Sequence, residues 1–423
     1  MDNASPYIAP DDSYQRRFQG RSVQEQEPPE LIPKNTFEPL AGKLLLFLVI
    51  LLMCLGVLAV YSSGAGWGVQ KFSNSEYFLW RQAFYTFLGI TVIFLVGGLN
   101  YKILKRFSKI ILIAAVGLLG LLLVLKAVGL VDGAARWIGF GKFRFQASDM
   151  AKYAIIIYMS HLISEKQSYI KDLHRAYYPM ISILMAVVTL VALEPNFSTA
   201  SVLALIGFIM MFAGRVSLLH LIVTLLAVLP FGAIFAIAAP YRMARLLTFI
   251  GQGDAAMSYQ IRQALIGFGN GGLFGLGPGE SKQRELFLPA PYNDFIFAVV
   301  GEEYGFLGAV LILLIFVGIV ICGVSIAKNA MDEFGRHLAF GITIAIGLYA
   351  FINAGVACHV LPTTGLPMPF ISFGGSAALF NSFGVGILIS ISREKKRLKK
   401  SQAKTEKKAE PKTGFGGYAE AQR

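Results

Sequence analysis

The chain has 423 residues, of which 55% are hydrophobic and only 15% charged, with a formal net charge of +13. A water-soluble domain carries about 25% charged residues, so the composition excludes a soluble enzyme and predicts an all-α integral membrane protein. The positive excess sits in tails and short loops, where membrane topology accounts for it and no nucleic-acid partner is needed.

Residues 1–42 are polar and without hydrophobic period, which predicts a disordered cytoplasmic tail and no cleavable signal segment. A bilayer-spanning helix needs about 20 apolar residues, and ten spans follow on that measure. The first four cover Leu44–Tyr61, Leu79–Leu99, Ile110–Val128 and Asp149–Ile163. The next three cover Met180–Leu193, Thr199–Ala213 and Leu218–Ala238. A long, mostly polar stretch, 241–293, follows as an extracytoplasmic loop between the seventh and eighth spans. The last three are Asp294–Ala327, Leu338–Leu361 and Ile371–Ile391, which bounds a membrane domain at 43–393 and leaves 394–423 as a basic cytoplasmic tail.

Ten spans place Lys102, Lys105, Arg106, Lys109, Lys166, Lys171, Arg175, Lys328, Arg336 and the tail on one side, with both termini cytoplasmic. Two basic groups then face outward. One holds Arg136, Lys142 and Arg144, and the other Arg242, Arg245, Arg262, Lys282 and Arg284. Cations that oppose the topology rule are candidates for function. No internal repeat of the transporter kind is present. Three cysteines and five histidines show no metal spacing, so no metal site is expected.

Asp294 stands where the polar stretch meets the eighth span, beside Phe295 and Phe297. An acid there complements a helix dipole, or it removes a proton from a substrate hydroxyl. Glu302 and Glu303 lie inside the same span, where charge is expensive. In a continuous helix Glu302 is about 12 Å from Asp294, too far for a glycosidase pair, which needs roughly 5–9.5 Å. A single base with a cationic site fits better. Gly301, Gly305 and Gly308 form a small-residue stripe on the same helix.

Arg242 and Arg245 are three residues apart and suit bidentate phosphate binding. Asp149 and Lys152 are also three apart, with Ser148 expected as the N-cap. The Gly-rich run 267–279 lacks a nucleotide-loop ending and reads as a flexible extracytoplasmic segment. The Pro-rich run 362–376, ending in Ser376, predicts irregular backbone that lines a cavity or is buried in protein.

Five blocks in order carry a family resemblance: Gly133–Trp137 with Ser148–Lys152; Leu193–Ala200; Pro240–Arg242 with Arg245; Gln260 through Asp294 to Gly305; and Leu361–Ser376. Over about Leu44–Arg393 the chain resembles the SEDS family (shape, elongation, division and sporulation), the FtsW/RodA group, and its cell-division branch more than its elongation branch. It departs from the family pattern at Ala147 and Asp149, at Asn196, at Ala290 and at Ala377. The resemblance implies a peptidoglycan glycosyltransferase of the inner membrane, at the division septum, that polymerises lipid II. It implies Asp294 as general base and undecaprenyl pyrophosphate as leaving group. Arg136, Lys152, Arg242, Arg245, Lys282, Arg284 and Ser376 would bind substrate, with Asp149, Glu302 and Glu303 in support. No cofactor is evident, although a divalent cation (Mg2+ or Mn2+) could share the charge. The implied partners are a class B penicillin-binding protein, other divisome proteins and membrane lipids. Two other readings remain open at this point: a lipid II flippase using Lys152 and Glu302, and a non-catalytic divisome scaffold.

Overall fold

The structure is a computed structural model describing residues 38–129, 137–140, 143–237, 240–252, 255–283 and 287–409. The expected tail at 1–37, Arg136, Lys142 and Arg284 lie outside the described residues, as does the end of the basic tail from residue 410. Twelve α-helices and one hairpin occur among the described residues. They are α1 Glu38–Phe72, α2 Tyr77–Gly98, α3 Lys102–Ala127, the hairpin β1 Trp137–Phe140 and β2 Phe143–Gln146, then α4 Ala147–Glu165. After them come α5 Tyr178–Leu193, α6 Phe197–Ala213, α7 Leu218–Ile237, α8 Pro240–Phe249 and α9 Ala255–Gly271. The chain closes with α10 Ile296–Lys328, α11 Glu333–Ala357 and α12 Gly375–Ala409.

Seven helices among the described residues are long and apolar enough to cross a membrane: α1, α2, α3, α5 with the turn before it, α10, α11 and the first part of α12. The chain is thus a multi-pass membrane protein. The helices overrun their apolar windows because Lys, Arg and Glu propagate a helix as readily as Leu does. Thus α3 starts at Lys102, and α12 continues through the first part of the basic tail to Ala409. At the start of α11 the Asp332 side chain accepts from Gly335 N at 2.6 Å, which fixes the helix start there.

The core is built around α4. Nearly every residue from Ala147 to Ser160 is buried, and α4 packs on α3, α11, α6, α5 and α12. A helix shielded from lipid by protein need not be apolar, and this one carries Asp149 and Lys152. Outside it, α12 packs on α2, and α10 packs on α1, α9 and α11.

Three expectations are corrected. The stretch 241–293 is not loop throughout but holds the helices α8 and α9, because Arg, Leu, Ala and Gln there favour helix. The Gly-rich run is docked on α10: Leu276 N and Gly277 N donate to Glu302 O and Glu303 O at 3.0 Å each, and Phe306 N and Leu307 N donate to Gly272 O and Leu273 O at 2.9 and 3.2 Å. Glycine is needed for this approach, since a Cβ on Gly275 would sit 2.1 Å from Glu303 O. Finally, α10 does not present a continuous glycine stripe. Gly305 has φ +66° and ψ −167°, a break in the helix that receives the Gly-rich run.

Candidate active site at one end of the bundle

Asp294 precedes α10 by two residues, in a segment whose carbonyls are held in sequence. Tyr292 O accepts from Phe373 N at 2.9 Å. Asn293 O accepts from Ser372 Oγ at 2.8 Å, and Asp294 O accepts from Asn353 Nδ2 at 2.8 Å. The carboxylate is partly buried. Burial pushes Asp294 above the usual carboxylate range, and the positive charge of Arg245 works against that rise.

Gly365 places the acid and the cation together. A Cβ built on it would lie 3.4 Å from Asp294 Oδ2 and 3.7 Å from Arg245 Nη2, so both groups border one small space. Gly365 has φ +71°, a conformation that glycine adopts without strain. Arg245 Nη1 donates to Thr363 O at 3.1 Å, which anchors α8 to the Pro-rich run. Arg242 lies over the Phe197 ring, 5.4 Å from its centroid, at the start of α6. The next residue back, Asn196, donates to Ser148 Oγ at 3.1 Å. Ser148 is therefore not the N-cap of α4; Gln146 takes that place without a side-chain cap.

A second cluster forms where α4 meets α12. Lys152 Nζ lies 3.8 Å from Asp149 Oδ1, and both side chains are almost completely buried. Ser376 Oγ donates to Asp149 Oδ2 at 2.8 Å. The ammonium also lies 3.4 Å from Asn381 Oδ1 and 4.3 Å from the Tyr349 ring centroid. Asp149, Lys152, Tyr349, Asn381 and the 367–372 run line a small cavity, one of the two places expected for the irregular backbone of the Pro-rich run. The two clusters share that run, which is tied to Asn293 by Ser372 and to Asp294 through Asn353 of α11, and which meets Lys152 across the cavity.

The remaining acids do other work. Glu302 is fully buried and accepts from Asn270 Nδ2 at 3.0 Å, Gln283 N at 3.2 Å and Ser281 Oγ. It pins α9 and residues 281–283 to α10. Glu303 accepts from Ser62 Oγ of α1. Since α10 begins only after Asp294, the separation expected between that acid and Glu302 from one continuous helix does not apply. Lys282 is exposed between two residues tied to Glu302. No group of three or more metal-ligating side chains occurs among the described residues.

The profile of the cell cycle protein family FtsW/RodA/SpoVE matches residues 42–397. The chain belongs to that family. It is 35% identical over 354 residues to a protein of Geobacter metallireducens named probable peptidoglycan glycosyltransferase FtsW, covering 83% of this chain and 94% of that one. It is 34% identical over 353 residues to stage V sporulation protein E of Bacillus subtilis, covering 83% and 96%. The fold is similar to a chain of a peptidoglycan synthase complex, with TM-score 0.68, 24% identity and coverage of 83% and 97%. It is also similar to the rod shape determining protein RodA of Thermus thermophilus, with TM-score 0.60, 24% identity and coverage of 83% and 96%.

The sequence pointed to Asp294, Arg245, Asp149, Lys152 and Ser376; the structure adds Asn353, Gly365, Ser372, Tyr349 and Asn381 as neighbours of those groups, which the sequence did not single out. Ser372 and Gly365 fall inside the Pro-rich block, which carried a local signal. Asn353, a polar amide inside an apolar span, carried the signal of an expensive buried group.

Proposed function

We propose that this chain is a peptidoglycan glycosyltransferase that polymerises lipid II in septal cell-wall synthesis. The observation that carries the proposal is the partly buried Asp294 carboxylate next to Arg245 across the space at Gly365. Asp294 takes the proton of the acceptor 4-hydroxyl. The resulting oxygen bonds to the donor's anomeric carbon, and the bond from that carbon to the pyrophosphate oxygen breaks. Undecaprenyl pyrophosphate leaves, and Asp294 returns its proton to water. Arg245, Arg242 and the Lys152 cluster supply positive charge for the departing diphosphate, with Arg136, Lys282 and Arg284 as further candidates. A divalent cation, Mg2+ or Mn2+, would add to that charge.

On this reading ten helices, α1–α7 and α10–α12, cross the membrane, with α8 and α9 on the extracytoplasmic side and both termini in the cytoplasm. Support comes from the names of the relatives, from the family match and from the basic residues that gather on α8 against the topology rule. A class B penicillin-binding protein is the proposed partner, as the likeness to a chain of a peptidoglycan synthase complex suggests. A second reading, lipid II flipping, draws on the buried Asp149–Lys152 pair beside a cavity.

The test is the purified chain with its cognate penicillin-binding partner, supplied with lipid II. Wild type is expected to build glycan strands on a gel, and Asp294→Asn to build none. Equal rates from both would remove the general-base role. Movement of labelled lipid II across vesicles without glycan would favour flipping.

A further inference from the structure

Three consecutive carbonyls, those of Tyr292, Asn293 and Asp294, each accept a hydrogen bond from α11 or from residues 372–373. Two of the donors are side chains that each grip the Pro-rich run as well. The Asn353 amide donates to Asp294 O and to Leu366 O, both at 2.8 Å. Its Oδ1 has no hydrogen-bond partner among the described residues, so the polar contacts of this buried amide go to those two carbonyls. The Ser372 hydroxyl donates to Asn293 O and accepts from Met368 N, again both at 2.8 Å. The run they grip also carries Gly365, beside Asp294 and Arg245, and Thr363, whose carbonyl holds Arg245. One bonded network therefore fixes the acid, the space and the cation relative to each other.

We infer that Asn353 and Ser372 are positioning residues that set the Asp294 carboxylate against the reacting hydroxyl. The inference rests on the glycosyltransferase reading and adds two residues to it. Neither side chain needs to touch substrate. Each replaces water at a carbonyl beside the base and thereby locks the angle at which that base is presented. A group misplaced by about 1 Å can cost 100-fold in rate. Because the two clamps act on one segment, their losses are expected to overlap rather than multiply.

The experiment uses the full chain with its penicillin-binding partner and lipid II, and reads kcat, KM and the pH profile. Asn353→Ala and Ser372→Ala are each expected to lower kcat about 10- to 100-fold with KM changed less than about 3-fold. The double variant is expected to fall little below the worse single. Freed from its clamps, Asp294 meets more water, so the acid limb of kcat moves to lower pH. Ser372→Thr keeps the hydroxyl and is expected to retain most of the rate. Thr343→Val, also on α11, with its hydroxyl donating to Ala339 O of its own helix among the described residues, controls for general loosening. It is expected to leave the acid limb in place.

Wild-type kcat and an unmoved acid limb in Asn353→Ala and Ser372→Ala would overturn the inference and leave the glycosyltransferase reading intact. So would a loss of rate matching that of Thr343→Val at equal loss of Tm. Absence of polymerisation by wild type overturns both. If Asn353→Ala does not fold, the Ser372→Ala and Ser372→Thr pair decides by the same readouts.

Discussion

Gly275 and Gly305 meet backbone to backbone: a Cβ on the first would lie 2.7 Å from Gly305 N, and one on the second 2.4 Å from Gly275 N. Both have positive φ, +86° and +66°. The Gly-rich run closes on the broken turn of α10 because neither residue has a side chain. Gly275→Ala or Gly305→Ala combines left-handed strain with a clash against main chain, each worth about 1–3 kcal/mol. Each variant is expected to lower Tm sharply in detergent. Gly117→Ala, with open space at its Cβ on α3, is expected to hold or raise Tm.

Gly365 calls for a different outcome. A methyl group there meets only ordinary contacts at 3.4 and 3.7 Å, but it fills the space that Asp294 and Arg245 share. Gly365→Ala is expected to fold with a loss of about 1–3 kcal/mol from its φ and to lose at least about 10-fold in polymerisation rate. Rate against Tm, measured on one preparation, separates the two effects.

The Asp149–Lys152 pair is buried, so removing one partner strands the other charge. Lys152→Met or Asp149→Asn alone is expected to cost about 3–5 kcal/mol, and the double variant much less. Polymerisation should stay low in the double variant, because the cation at the cavity is gone. A double variant as unstable as the singles would show that the charges are not coupled.

Burial raises the Asp294 pKa in the folded chain. Between the unfolded and folded pKa values the folded state binds more protons, so stability falls as pH rises through that window. At neutral pH Asp294→Asn is therefore expected to raise Tm while abolishing polymerisation, and at a pH below both pKa values the Tm difference should close. The same shift places the acid limb of wild-type activity above the usual carboxylate range. Activity should be lost as pH falls through the raised value, and a limb at or below the ordinary range would contradict it.

Helix positions were legible because the bilayer demands long apolar runs: each of the ten expected runs overlaps a helix, and seven helices among the described residues are long and apolar enough to cross a membrane. Helix ends were less so, as at Lys102 and Ala409, because polar helix formers carry a helix past its apolar window. The 241–293 stretch misled for the same reason: α8 and α9 are helical without being apolar enough to span. The break at Gly305 was invisible, since it depends on a partner strand of backbone thirty residues earlier.

Composition and hydropathy by themselves determined a multi-pass helical membrane chain, and the ordered motifs determined its family. Both follow from local chemistry: apolar length, the cost of charge in lipid, and residue order. Only the tertiary structure brought Asp294 to Arg245 across Gly365, and only it showed Asn353 and Ser372 bonded to the carbonyls of Asp294 and Asn293. Those contacts join residues far apart in sequence through single hydrogen bonds and one missing side chain, and no periodicity along the chain encodes them.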